Sequence, residues 1–306
     1  MQTLYHTYSI VAHDAKTGQL GVAVQSHWFN VGALCPWVEA GVGAIATQSM
    51  VKVSYGPQGL ELLRAGKSAQ EALAMMLAQD AEKESRQVAI VDANGGVAVH
   101  TGKRCIAEAG HVAGDGFSVQ ANMMKNNTVW AAMANAFKQS GGDLAERMLA
   151  ALQAAQAEGG DIRGKQSAAM LVAEGPRTDA PYEHVLVNLR VDDHEEPLVE
   201  LERLLHIDRA YNFMNAGDEL LAKGDLAGAM QQYSQGAALA PHIDELPFWQ
   251  AATLAENGNL AEALPIFRTV FKGNPDWAEV LRRLPAAGLF PDDTDLIQTI
   301  LKELEK

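Results

Sequence analysis

The sequence predicts an α+β domain over residues 1–200 and an all-helical tail over residues 203–306. Two observations predict it. Strand-like and helix-like stretches come in blocks as far as about residue 191, and beyond residue 203 they give way to a helical pattern that repeats every 34 residues. A chain of 306 residues fits about two domains. Its 48% hydrophobic and 20% charged residues are those of an ordinary globular protein.

Residues 8–13 and 20–25 are β-rich runs on either side of Asp14-Ala-Lys-Thr-Gly18, a tight-turn sequence, so the chain opens with a hairpin. Residues 42–47 form a small, apolar third strand ahead of Tyr55-Gly-Pro57, where proline suits the first turn of a helix. Residues 58–64 and 69–78 carry apolar side chains at helical spacing. Gly66 separates the two helices, and Ser68 with Glu71 makes a capping box for the second. Residues 87–92 and 97–101 are strands joined by Asn94-Gly-Gly96, a strong hairpin signal, and residues 117–121 add another. Helical periodicity returns over 129–138 and 144–157, with Asp143 as cap and Gly159-Gly160 as stop. Residues 167–172 and 184–191 close the domain as strands. Helices that come in pairs between groups of strands must cover sheet faces as pairs, so a layered α+β sandwich is expected rather than a doubly wound parallel sheet.

In the tail, Gly224, Leu226, Ala229, Tyr233 and Pro241 are matched 34 residues later by Gly258, Leu260, Ala263, Phe267 and Pro275. Small and aromatic residues at these offsets let two antiparallel helices nest, and proline ends each unit, so the tail resembles two tetratricopeptide repeats. Ala251 stands where the first unit has Gly217, and Pro265, inside a helix, is expected to kink it. A last amphipathic helix, residues 295–305, follows an Asp292-Asp293-Thr294 cap and covers the end of the stack. Two repeats are fewer than the about three that a self-sufficient solenoid needs. Phe248, Trp249 and Trp277 therefore predict a homo-oligomer or a protein or peptide partner docked on the tail.

The net charge is −14, and nine basic against fifteen acidic residues from Arg203 onward leave −6 on the tail and −8 on the first part. Neither part offers the basic surface a phosphate backbone needs, so nucleic acid is excluded as a partner. The start of the sequence has no basic segment followed by an apolar stretch, and nowhere do about 18 apolar residues run together. A cytoplasmic protein without membrane insertion is expected. Cys35 and Cys105 lack CxxC spacing and read as buried thiols in a reducing compartment. His100, His111 and His194 show no HxH or HExxH spacing, so neither metal nor cofactor is expected. Asp192-Asp193-His194, where the last strand ends, reads as solvated surface.

Thr7-Tyr-Ser-Ile-Val-Ala12 and Gly21-Val-Ala-Val-Gln-Ser26 resemble the start of the bacterial family known as domain of unknown function 1028. Further matches are Val42-Gly-Ala-Ile-Ala-Thr-Gln48, Tyr55-Gly-Pro57, Arg86-Gln-Val88, His100-Thr-Gly102, Gly159-Gly-Asp-Ile-Arg-Gly-Lys-Gln-Ser167 and Leu189-Arg-Val-Asp-Asp-His194. The resemblance implies an N-terminal-nucleophile hydrolase fold, a four-layer αββα sandwich. In such hydrolases the first residue of the mature chain attacks an amide and its own α-amino group is the base. By position that residue is Thr7.

Met1 to His6 precede Thr7, so a free amine there requires processing. The second strand ends Gln25-Ser26-His27 rather than in an acid, and no lysine lies near Trp37 to Ala40, where the fold's third-strand lysine would stand. Around Thr7 the resemblance gathers Ser26, His27, Gln48 and Asn122 as catalytic candidates, Gln48 and Asn122 as oxyanion donors. Thr47, Tyr55, Asp161, Arg163 and Gln166 are the substrate-binding candidates, although Asp161 and Arg163 also suit an ion pair that holds the glycine-rich turn. Two functions compete: an amidohydrolase acting on a small amide, and a non-catalytic binding protein that keeps the fold and holds a partner through its repeats.

Overall fold

The structure is a computed structural model that describes residues 4, 5 and 7–305. It divides into two compact units, Met1–Leu204 and Leu205–Lys306, and the division falls inside one continuous helix, Pro197–Ala222. The tail boundary expected at residue 203 therefore also lies within that helix.

The first unit is α+β with two antiparallel sheets. Its strands are β1 (Leu4–Tyr5), β2 (Thr7–His13), β3 (Leu20–Ser26), β4 (Pro36–Glu39), β5 (Gly43–Met50), β6 (Arg86–Asp92), β7 (Val97–Thr101), β8 (Gly110–Gly114), β9 (Phe117–Ala121), β10 (Ser167–Ala173) and β11 (Val185–Val191). Its helices are α1 (Tyr55–Arg64), α2 (Ala69–Ala78), α3 (Val129–Gln139) and α4 (Leu144–Ala157), with α5 (Pro197–Ala222) leading out. One sheet runs β1-β5-β6-β7 with β4 also on β5, and the other runs β11-β10-β3-β2-β9-β8.

Side chains alternate across each strand, so each sheet has an inner and an outer face. Val11, Val22 and Val24 of one sheet pack with Ala44, Ala46, Ala89 and Val91 of the other, and these form the inter-sheet core. On the outer face of the first sheet Ile45, Val88 and Ile90 meet Leu60, Leu63, Leu73 and Met76 of α1 and α2. α4 lies so close over the second sheet that a Cβ on Gly21 would come 2.6 Å from the Met148 side chain. A Cβ on Gly110 would likewise come 2.7 Å from the Trp130 ring of α3.

The capping boxes of α2 (Ser68, Glu71) and α4 (Asp143, Glu146) are formed. The β6–β7 turn is organised by Asp92 as much as by its glycines. Its Oδ1 accepts from the N–H groups of Asn94 (3.0 Å) and Gly96 (2.9 Å), and its Oδ2 accepts from Ala69 N (2.9 Å). That carboxylate ties the hairpin to the first turn of α2. Two strands that periodicity does not reveal, β4 and β8, are short partners that exist through their neighbours: β4 begins at a proline and pairs with β5, and β8 begins and ends in glycine and pairs with β9.

The second unit is helical: the last part of α5, then α6 (Leu226–Leu239), α7 (Glu245–Glu256), α8 (Leu260–Gly273), α9 (Asp276–Arg283) and α10 (Thr294–Leu301), which a 3-10 turn, Lys302–Glu305, extends. The 34-residue period is structural. α6 and α8 begin and end 34 residues apart, Gly224 and Gly258 both take left-handed φ (82° and 83°), and Ala229 and Ala263 are both fully buried. Gly217 has its reason in Tyr233, whose ring a Cβ there would approach to 2.4 Å. α8 runs as one helix through Pro265, so the expected kink does not end it. Phe248 is fully buried and stacks on Trp277 at a centroid distance of 4.5 Å and edge-on to Trp249 at 5.2 Å. The aromatic face that predicted a docked partner is thus largely spent within the tail's own core.

Candidate functional site

Thr7 and Ser26 are direct cross-strand partners at one end of the second sheet, and both are fully buried on its inner face. Thr7 Oγ1 donates to Ser26 Oγ at 3.2 Å. Facing them from β5 of the other sheet, Gln48 donates through Nε2 to Thr7 O (3.2 Å) and to Gln87 Oε1 (2.7 Å). Asn122, just past β9, donates through Nδ2 to the same Gln87 oxygen (2.9 Å) and to Thr7 O (3.4 Å), and its backbone N–H reaches Thr7 O at 3.1 Å. Three N–H groups therefore converge on one carbonyl oxygen.

The cluster continues inward. Ser9 Oγ donates to Gln48 Oε1 (2.6 Å) and accepts from Gln120 Nε2 (2.6 Å), and Ser118 Oγ donates to Gln120 Oε1 (3.0 Å). Gln87 is the hub. Its oxygen takes the two donors named above, and its Nε2 points at Thr101 Oγ1 (2.9 Å), Gly110 O (3.2 Å) and Ala121 O (2.9 Å). At its apolar edge the Cys35 thiol lies 3.9 Å from Gln48 Oε1, and burial, slightly opposed by the Thr47 backbone, pushes its pKa up to about 12. Hydroxyls, amides and a neutral thiol can position and polarise a carbonyl, and supply no charge at neutral pH.

Two backbone outliers adjoin the cluster. Ser49 (φ 68°) follows Gln48 and Met123 (φ 59°) follows Asn122, both in the left-handed region that side chains other than glycine enter at a cost. Ser49 is also where β1 joins, since Tyr5 pairs with Ser49 and Leu4 with Met50. Leu4 and Tyr5 thus belong to one sheet and the strand that begins at Thr7 to the other.

Other candidates group elsewhere. His27 N donates to Asp161 Oδ2 at 3.3 Å, and Arg163 holds Asp161 through Nε (3.0 Å) and Nη2 (2.7 Å), so this pair anchors the glycine-rich turn. Gln166 Nε2 donates to Asp193 (3.1 Å), and His27 and Gln166 share an open cleft of about 520 Å³ with Lys165, Asp193, His194, Glu195 and Glu196. Thr47 and Tyr55 do not join Thr7. Thr47 alternates with Gln48 and so faces α1, bonding Lys52 O at 3.3 Å, and the Tyr55 hydroxyl donates to Asp80 Oδ2 at 2.8 Å. Asp80 also takes Arg86 Nε at 2.9 Å. Burial pushes the Asp80 carboxyl up, and bonds from Arg86, Tyr55 and the Glu82 N–H outweigh it and hold it well below the usual carboxylate range.

The family model for DUF1028, a family of unknown function, matches residues 7–201. The chain belongs to this family. A crystal structure of protein SPO2555 from Silicibacter pomeroyi, also matched to that family, is similar to it at 33% sequence identity and a TM-score of 0.59, over 65% of this chain and 88% of that one. A comparison with curated proteins finds no match. The matched span starts at Thr7 and contains every residue of the buried cluster, while the helical tail lies outside it.

The structure places Thr7, Ser26, Gln48 and Asn122 together, and sequence reasoning missed Ser9, Gln87, Ser118 and Gln120 beside them. The available signal was polar residues at inward positions of strands otherwise apolar on that face. Among the described residues no group of three or more His, Cys, Asp or Glu side chains is placed to hold a metal ion, and no helix is long and apolar enough to cross a membrane.

Proposed function

We propose that the first unit is a four-layer αββα sandwich of the N-terminal-nucleophile type, and that Thr7 is a latent nucleophile for hydrolysis of a small amide. The reading rests on one observation: Thr7 is the first residue of β2, and Ser26, Gln48 and Asn122 surround it there. The left-handed Ser49 and Met123 beside two of those residues support it, because strain of this kind gathers at working sites.

Cleavage of the His6–Thr7 bond would give Thr7 a free α-amine; His6 itself lies outside the described residues. That amine takes the hydroxyl proton as Oγ1 bonds to the substrate carbonyl carbon, and the Gln48 and Asn122 amides, which hold Thr7 O in the uncut chain, turn to the developing oxyanion. The ammonium then gives its proton to the leaving amine, and water hydrolyses the ester left on Thr7. In the uncut chain Thr7 is fully buried and has no such amine, so that form is inactive.

The test is a chain released to begin at Thr7 from a cleavable fusion, assayed on a panel of small anilides beside its Thr7→Ala form and the uncut chain. Turnover confined to the released Thr7 chain is expected. No turnover, or turnover that survives Thr7→Ala, refutes the nucleophile. The second reading, a non-catalytic binding protein, is favoured by the complete burial of Thr7, Ser26, Gln48 and Asn122 and would then stand. In either case we read the tail as two tetratricopeptide-type repeats that hold a protein or peptide partner or a second copy of the chain, on the strength of the 34-residue register of α6 and α8. Light scattering on the full chain reports the oligomer.

A further inference from the structure

Among the described residues the buried cluster connects to a histidine through Thr101. Thr101, on β7, accepts Gln87 Nε2 at 2.9 Å, and its Oγ1 lies 2.9 Å from His111 Nδ1 on the edge strand β8. Proton placement along this chain is fixed by its partners as far as Thr101, and at His111 we take the tautomer that leaves Nδ1 bare. Gln87 Oε1 accepts from Gln48 and Asn122, so its Nε2 must be the end that faces Thr101. Thr101 Oγ1 then uses a lone pair for Gln87, and its own proton is free to go to a bare His111 Nδ1.

Adding a proton to His111 reverses that bond. Nδ1–H becomes a donor to Thr101 Oγ1, whose second lone pair takes it beside Gln87, and the Thr101 hydroxyl must rotate because its proton loses its acceptor. Gln87 has two other acceptors within reach, Gly110 O (3.2 Å) and Ala121 O (2.9 Å), so it can turn away from Thr101. Its oxygen moves with it, and that oxygen aligns the Gln48 and Asn122 amides that hold Thr7 O.

We propose that His111 is a positioning residue that makes the Thr7 cluster proton-sensitive, acting through Thr101 and Gln87 on Gln48 and Asn122. The surroundings agree. His100, next to Thr101 on β7, is the neighbouring imidazole that acts on His111; its Nε2 meets Lys83 O at 2.9 Å, and Glu84 and Lys103 gather near it. On β9 the residue opposite His111 is the uncharged Gln120, and on α3 Lys138 lies over the Phe117 ring. Partial burial first and His100 second push the His111 pKa down, which favours the neutral imidazole.

The inference stands on the observed cluster and not on Thr7 being a nucleophile, so it is tested without an activity. Side-chain amide resonances of Gln87, Gln48 and Asn122 are followed by nitrogen–proton NMR from neutral to mildly acidic pH, beside the imidazole resonances of His100 and His111. The expected result is that the three amides shift with the midpoint of His111. In Thr101→Val, which removes the hydroxyl and keeps the shape, His111 still titrates and the amides stop following it; Thr101→Ser restores the coupling. Amides that do not move in the parent, that follow His100 instead, or that still follow His111 in Thr101→Val overturn the proposal. The first two outcomes need no variant to fold.

Discussion

Gln87→Leu is the sharpest perturbation of the buried cluster, because the two side chains are close in size and only the polar atoms change. Gln87 is fully buried and takes part in five hydrogen bonds. After the change Gln48 Nε2 keeps Thr7 O (3.2 Å) and Gln120 O (3.4 Å), and Asn122 Nδ2 keeps Thr7 O (3.4 Å), so neither donor is orphaned. Thr101 Oγ1, Gly110 O and Ala121 O lose a donor that had only two hydrogens for the three of them. About two bonds' worth of desolvation is left uncompensated, at about 1–3 kcal/mol each, and the buried leucine offsets part of it. The expected loss is about 2–4 kcal/mol. A single unfolding curve would mix the two compact units, so the assay is native-state hydrogen exchange of the β6 amides. They should exchange roughly 30- to 700-fold faster than in the parent, since each factor of ten is about 1.4 kcal/mol. Exchange within about threefold of the parent would refute the hub, for a change that small is what an exposed glutamine gives.

Asp80 makes the first unit acid-sensitive. Its carboxyl is held below the unfolded value of about 3.9, so the stability it gives is complete above that pH and fades as pH falls further; Asp80→Asn should flatten that part of the acid unfolding curve. Arg86→Leu removes the closest cation from the same carboxylate and leaves it Tyr55, the Glu82 N–H and Lys52 at 3.6 Å, so it should cost about 1.5–3 kcal/mol at neutral pH, read by hydrogen exchange of the β6 amides. In the tail, Gly217→Ala would drive a Cβ into the Tyr233 ring and should cost about 1–3 kcal/mol in the tail's thermal transition, although alanine is native 34 residues on at Ala251.

Much of this protein is legible in its sequence for local reasons. Ser68 with Glu71 and Asp143 with Glu146 fix helix starts within four residues of chain, and the 34-residue period places α6 and α8 because each repeat is a local unit. The family resemblance also marked Thr7, Ser26 and Gln48. What the chain does not carry locally is which way each strand faces. Thr47 and Gln48 are neighbours in sequence, and only the pairing of β5 with β6 sends one toward α1 and the other into the cluster. Gln87, Ser9 and Gln120 looked like ordinary strand positions because their partners come from the opposite sheet or a neighbouring strand, far away along the chain. β4 and β8 were invisible for a related reason, since an edge strand is made by the strand it pairs with and not by its own residues. The sequence by itself determined most of the elements, the repeat and the family. The meeting of two sheet faces decided that Thr7 is buried among amides and hydroxyls, because a side chain's environment is set by what packs over it and not by its neighbours in the chain.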